Sequence, residues 1–229
     1  MPVLALDTSA AVAVTLLADD GAILASRVVL EERRHAEQLA PMIAEVLAAT
    51  GTERSELTAI VVGTGPAPFT GLRVGLVTAR TLAFALGIEA LGVSSLDALA
   101  AQAVGDLALP AGTEILVATD ARRREVYWAR YRALGGPDCV GLVAGPGVAS
   151  AAQVAADGRA DGAVVVGPGA AAYAGELGPV AGGPLACDPA ALARLALARV
   201  AAGEALPTEP LYLRRPDVMA PAARKRALA

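Results

Sequence analysis

The sequence predicts an α/β protein of two subdomains, and three observations carry that expectation. Short β-prone runs and helical patterns follow one another from the start of the chain in the order βββαβαβα, which suits a sheet with helices packed on it. A Gly/Pro-punctuated stretch from Gly105 to Gly112 then marks a boundary between residues 1–104 and 105–229. Beyond it the opening pattern recurs: an apolar strand, an aspartate, a short polar turn and a second strand.

Each element has a local cause. Val3 to Leu6 is a short apolar strand ending at Asp7. Ala11 to Leu17 is β-prone and is followed by the turn signal Asp19-Asp20-Gly21, across which Ile23 to Leu30 pairs back. A helix spans Glu31 to Thr50, with Gly51 as its stop. It carries two apolar stripes, Leu39-Ile43-Leu47 and Met42-Val46-Ala49. Periodicity alone leaves two explanations equal: a helix sandwiched within its own domain, or one that also meets another chain. Thr58 to Gly63 is a buried strand, and Thr70 is the expected N-cap of a helix running to Leu86 before Gly87. That helix is apolar nearly all round and is expected to be buried on most sides. Ile88 to Val93 is a strand, and Ser94 caps the next helix with Asp97 behind it.

In the second half Ile115 to Thr119 is a strand ending at Asp120, and Val126 to Tyr131 follows the polar turn Ala121 to Arg124. Asp7 and Asp120 occupy equivalent places, which points to an internal duplication. Ser150-Ala151-Ala152-Gln153 is a capping box, Gly162 and Gly167 bracket a brief strand, and Pro189 to Ala202 is an Ala/Leu helix closed by Gly203. From Pro207 onward an extended tail is expected.

The 229 residues are 55% hydrophobic and 18% charged, which excludes a disordered chain. Aromatics are only 3%, so the core must be built from small side chains in close backbone packing. The longest charge-free run, Val140 to Ala156, holds several Gly and a Pro and is not a membrane span. Asp7 interrupts the first apolar run, so no signal peptide is expected, and Cys139 and Cys187 imply no disulfide framework. A cytoplasmic protein is expected. The net charge of −4 does not suit a stand-alone nucleic-acid binder. The basic runs Arg122–Arg124, Arg214–Arg215 and Arg224–Arg226 read as solvated faces or tail rather than a phosphate patch.

Two stretches invite a ligand. Asp7-Thr8-Ser9 at a strand end is suited to a magnesium ion or a phosphate, although the spacing favours an Asx or ST turn. Gly63, Gly65, Gly71 and Gly75 surround the helix entry at Thr70, where backbone N–H groups can face an anion. No Lys-Ser/Thr pair follows, and Pro66 and Pro68 remove two donors, so a stiff loop aiming the helix is the better reading. The single histidine, His35, has no second ligand or nucleophile tied to it, and the two cysteines have no metal spacing. No catalytic and no metal-binding residue is assigned.

Three stretches resemble the TsaB family, also called YeaZ: Leu4-Ala5-Leu6-Asp7-Thr8-Ser9, the run from Val62 to Gly75 with Phe69-Thr70-Gly71-Leu72-Arg73 at its centre, and Asp120 to Trp128. The tail Pro210-Leu211-Tyr212-Leu213-Arg214 is similar too, and the resemblance covers essentially the whole chain in order. The family loop usually reads Gly-Ser where this chain has Ala67-Pro68, which weakens a nucleotide cradle further. The resemblance implies an ASKHA, ribonuclease-H-like (actin-like ATPase) fold of two subdomains with mixed sheets. It implies a partnership with the TsaD subunit and, through TsaD, with the ATPase TsaE. Together these install threonylcarbamoyl on the adenosine just 3′ of the anticodon in tRNAs reading codons that begin with A. TsaD then holds the metal and the active site, ATP and metal belong to partner subunits, and tRNA is met only through the complex. On this resemblance TsaD-like relatives place two histidines at the positions of Ser95 and Leu99, neither of which replaces an imidazole.

On this resemblance the two N-terminal helices form a bundle with their TsaD equivalents, and the second apolar stripe becomes a partner face. Leu39, Met42, Val46, Arg73, Val77 and Arg80 are the expected interface. Asp7, Thr8, Ser9, Thr70 and Gly71 remain as a vestigial nucleotide or phosphate site. A homodimer is expected when the chain is alone, because a large apolar patch seldom stays solvated. The alternatives are a small ASKHA-type ATP-dependent kinase, although such kinases are usually about twice as long, and, further off, a peptidase.

Overall fold

The structure is a computed structural model and describes residues 2–30 and 35–214. The strands β1 (Val3–Asp7), β2 (Val12–Leu17) and β3 (Ile23–Val29) open the chain as an antiparallel meander. Then come α1 (His35–Thr50), β4 (Ala59–Gly63), α2 (Phe69–Leu86), β5 (Glu89–Val93) and α3 (Ser95–Asp106). β4 pairs parallel with β1, and β5 with β4, giving a mixed five-stranded sheet of order β3-β2-β1-β4-β5. The expected start of α1 at Glu31 lies outside the described residues.

The second half repeats this plan. The strands β6 (Glu114–Asp120), β7 (Glu125–Ala133), β8 (Val140–Ser150) and β9 (Val164–Val166) form a sheet of order β8-β7-β6-β9. β7 is antiparallel to β6 and to β8, and β9 is parallel to β6. Its order matches that of the first four strands. Asp7 and Asp120 end the equivalent strands β1 and β6, and each closes its hairpin in the same way. Oδ1 of Asp7 accepts from the backbone N–H of Ser9, and Oδ1 of Asp120 from that of Arg122. Short helices α4 (Ala151–Ala156), α5 (Pro168–Ala172) and α6 (Ala174–Leu177) cover this sheet, and α7 (Pro189–Ala201) follows.

α7 does not stay with its own half. It lies against β1, β2, β4 and β5 and against α3, so the first sheet is closed from behind by the end of the chain. The expected division at residue 104 is therefore crossed by α7 and by the segment after it. Side-chain alternation along β1 explains why two layers are needed. Val3 and Ala5 face α3, α7 and the second sheet, with Leu96, Leu99, Leu192 and Leu195. Leu4 and Leu6 face α1 and α2, with Leu39, Met42, Val46, Leu72 and Leu76. A third cluster around Leu116, Trp128 and Val154 fills the outer face of the second sheet.

Three expectations are corrected. Thr70 is not the N-cap of α2: Pro68 is, without a side-chain bond, and the helix begins at Phe69. Pro68 itself is extended, with φ −56° and ψ 135°, so the chain enters the helix two residues earlier than a cap at Thr70 would place it. Second, the large side chains of both stripes of α1 belong to the protein's own core, and of the two stripes Ala49 alone is exposed. Leu39, Met42 and Val46 are only 1%, 5% and 0% exposed, because α1 packs against β2 and β3 and is flanked by α2. They leave almost no surface for a partner. Third, α2 is not buried on most sides. Leu72, Gly75, Leu76, Ala79 and Ala83 are buried, while Val77 is 61% and Phe84 90% exposed.

α2 is also the one described helix long and apolar enough to cross a bilayer by length and composition, but it packs one face on the sheet and carries Arg73 and Arg80 on the other. The charge-free run after Val140 folds as β8 and α4.

The burial of α1 yields a first prediction. Val46→Glu places an unpaired charge in the core and destabilises the isolated chain by about 3 kcal/mol or more, read by urea denaturation. An unchanged midpoint would restore Val46 to the surface.

Candidate functional site

Two places on this fold have functional geometry: the cleft between the sheets and the outer face of α2. The cleft is a cavity of about 360 Å³ lined by Thr8, Ser9, Thr70, Gly71, Thr119, Asp120, Arg122 and Cys187, among others. The residues expected to mark a vestigial site are thus brought together, with Asp7 immediately beneath. Thr8 is tied to the start of α2: its hydroxyl donates to the Gly71 carbonyl at 2.8 Å and accepts from the Gly75 N–H at 3.1 Å.

Asp7 is buried, and both oxygens of its carboxylate accept hydrogen bonds from the protein. Oδ1 accepts from the N–H and the hydroxyl of Ser9, at 2.8 and 2.5 Å. Oδ2 accepts from the Ser95 hydroxyl at 2.7 Å. Three donors thus occupy a carboxylate that offers about four lone-pair sites, and the buried Cys187 thiol lies close by. Burial pushes the Asp7 pKa up from its ordinary value, against the lowering effect of Ser9 and Ser95. Burial likewise pushes the Cys187 thiol well up, and the Asp7 charge adds to it. Gly63 makes this packing possible, since a methyl group there would run into the Asp7 carboxylate and the Ser95 hydroxyl. A carboxylate enclosed in this way does not fit a nucleotide–magnesium site. Among the described residues no group of three or more His, Cys, Asp or Glu is placed to hold a metal.

The second place is α2. Its exposed side presents Arg73, Val77, Arg80 and Phe84 at helical spacing. Along it runs the extended chain after α7. The Gly92 N–H donates to the Leu206 carbonyl and the Leu211 N–H to the Thr64 carbonyl, both at 2.9 Å. Arg80 donates from Nε to the Thr208 hydroxyl at 2.8 Å and from Nη2 to the Thr208 carbonyl at 2.6 Å. Arg73 donates from Nε to the Tyr212 hydroxyl at 3.0 Å and lies 3.5 Å over the Phe69 ring, which stacks on Tyr212 with centroids 4.7 Å apart. Arg214 ends the strap on the second sheet's hairpin, donating to the Ala121 carbonyl and pairing with Glu125. The strap therefore ties both halves to α2.

The sequence of this chain matches over residues 26–166 the family described as TsaD, tRNA N6-adenosine threonylcarbamoyltransferase. It is 36% identical over 132 residues to the tRNA threonylcarbamoyladenosine biosynthesis protein TsaB of Escherichia coli. The structure superposes on that of YeaZ from Pseudomonas aeruginosa with a TM-score of 0.78 and 32% identity, covering 93% of this chain and 99% of that one. The chain belongs to the TsaB/YeaZ family.

An uncharacterised protein of Mycobacterium tuberculosis is similar at 45% identity over 155 residues, a stretch covering 66% of each chain. The match to Escherichia coli TsaB covers 58% of this chain and 55% of that protein. The two sheets and their shared order agree with the ribonuclease-H-like fold expected of TsaB/YeaZ proteins. In this member Ser95 bonds the buried Asp7, and Leu99 packs in the core while lining the cleft. Of the six residues expected at an interface, Arg73, Val77 and Arg80 lie exposed on α2, and Leu39, Met42 and Val46 do not. Sequence reasoning missed Phe84 as a surface residue and Thr208 and Tyr212 as partners of the two arginines. The side chain of His35 lies outside the described residues. Arg122 to Arg124 form the exposed turn between β6 and β7, with left-handed backbone at all three.

The enclosure of Asp7 predicts a pH signature. Its folded pKa is raised, so its contribution to stability is fully present below its ordinary value of 3.8 and is lost as pH rises through the folded pKa. Asp7→Asn keeps an acceptor for Ser9 and removes the buried charge. Thermal melts are expected to show the variant gaining on the parent as pH rises above 3.8; a difference independent of pH would contradict the raised pKa.

Proposed function

We propose that this chain is the non-catalytic dimerisation and scaffold subunit of the complex that forms N6-threonylcarbamoyladenosine in tRNA, docked through α2 on the metal-bearing TsaD-type subunit. Membership of the TsaB/YeaZ family supports the place in that pathway. The observation that carries the docking role is the outer face of α2. Val77 and Phe84 stand exposed on a helix whose other face is fixed to the sheet, and an aromatic side chain that is 90% exposed on a rigid helix is a ready interface anchor. The enclosed, hydrogen-bonded Asp7 supports a role without a nucleotide or metal of its own, with ATP and metal carried by the partner subunits. TsaE joins through TsaD, tRNA is reached through the complex, and the work is done in the cytoplasm. Alone, the same apolar side chains pair two copies weakly.

The test is co-purification with the TsaD-type subunit of the same organism. Phe84→Asp abolishes recovery of that subunit while leaving the circular dichroism and melting temperature of the isolated chain unchanged, since Phe84 contributes nothing to the core. Undiminished recovery would remove α2 from the interface.

A further inference from the structure

The α2 face is not merely apolar. Arg73 and Arg80 lie on the same exposed stripe as Val77 and Phe84, and neither has a carboxylate partner among the described residues. Their hydrogen bonds go to neutral groups only, the hydroxyl and carbonyl of Thr208 and the hydroxyl of Tyr212. α2 itself contains no acidic residue. On the neighbouring α1, Glu45 is paired with Arg27 and Glu37 is also engaged. The strap thus fixes two guanidiniums without neutralising them. A guanidinium has five N–H donors; Arg80 uses two of its own on Thr208, and the rest stay available.

We infer that the α2 surface is shaped for a partner helix that is both apolar and acidic, with carboxylates meeting Arg73 and Arg80 and apolar side chains meeting Val77 and Phe84. This rests on the docking role proposed above and names the chemistry of what docks. The strap belongs to the surface. Ordering two long side chains before contact removes an entropic cost of binding and makes their bidentate pairing with carboxylates more specific. Gly92 fixes the path of the strap, because any side chain there would collide with the Pro207 carbonyl. The same charges discriminate against self-pairing, since two copies joined through this face bring four guanidiniums together. Salt therefore acts in opposite directions. It screens attraction in the complex with the acidic partner and repulsion in the pair of copies.

The experiment uses the full chain and the TsaD-type subunit of the same organism, with Kd measured by calorimetry and self-association by sedimentation, from low salt to about 0.5 M. Arg73→Gln together with Arg80→Gln is expected to weaken the complex about tenfold or more at low salt and to flatten its salt dependence. Thr208→Val weakens it about threefold, and only while Arg80 is present, because its effect runs through that side chain. Self-association tightens with salt. If Phe84→Asp abolishes binding while the double Gln variant leaves Kd and its salt slope unaltered, docking stands and the acidic partner is overturned. If neither change matters, the docking reading itself fails. If the double Gln variant loosens the pair of copies as much as the complex, the face is built for self-pairing and the inference is wrong.

Discussion

A strand buried on both faces needs a layer on each side, and the first sheet has only one to hand from the helices that follow it in sequence. α1 and α2 cover Leu4 and Leu6; Val3 and Ala5 on the opposite side wait for α7, which returns from the far end of the chain and packs on α3. That closure decides the rest. Because α7 and the second sheet occupy the back, only α1 and α2 can look outward from the first sheet. Because α1 packs its large apolar side chains against β2 and β3, α2 is the one of these two helices that keeps such side chains, Val77 and Phe84, in water; at the sheet edge β3 also exposes Ile23, Leu24 and Val28.

The return of α7 also explains the strap. The chain leaves α7 behind the sheet, passes the edge at β5 and then follows α2, so the segment that completes the core also borders the exposed face of α2. The cleft between the sheets has a different character. Its focal carboxylate, Asp7, is enclosed by Ser9, Ser95 and Cys187 and holds β1 to α3. In a chain that matches a family described by a transferase activity, this polar centre is a structural joint, and the proposed working surface is the helix face.

Much of this was legible in the sequence, for identifiable reasons. The opening strands, the Asp-terminated repeat and the boundaries of most helices follow from turn signals and period, which are local. The gathering of Thr8, Ser9, Thr70 and Gly71 at one cleft did not follow from spacing, which favours a turn and a stiff loop; it joins stretches more than 60 residues apart. β8 was not legible, because Gly141, Gly145, Pro146 and Gly147 look like a loop; on a sheet edge they are tolerated. The partner face was read half wrongly for a deeper reason. Periodicity shows which side chains of α1 are apolar and says nothing of what covers them, so Met42 and Val46 were assigned outward when β2 and β3 had room for both stripes. Arg73 was paired with Tyr212 and Arg80 with Thr208 across 139 and 128 residues, contacts that no local pattern encodes.

The central claim is that α2 offers its outer side chains to another chain while α1 keeps its own inside. Hydroxyl-radical footprinting of the chain, alone and with the TsaD-type subunit, addresses both halves at once. The account predicts that Phe84 is oxidised in the isolated chain and shielded in the complex, while Met42 stays unreactive in both. Labelling of Phe84 that does not change on mixing, or a Met42 that reacts freely until the partner arrives, would contradict it.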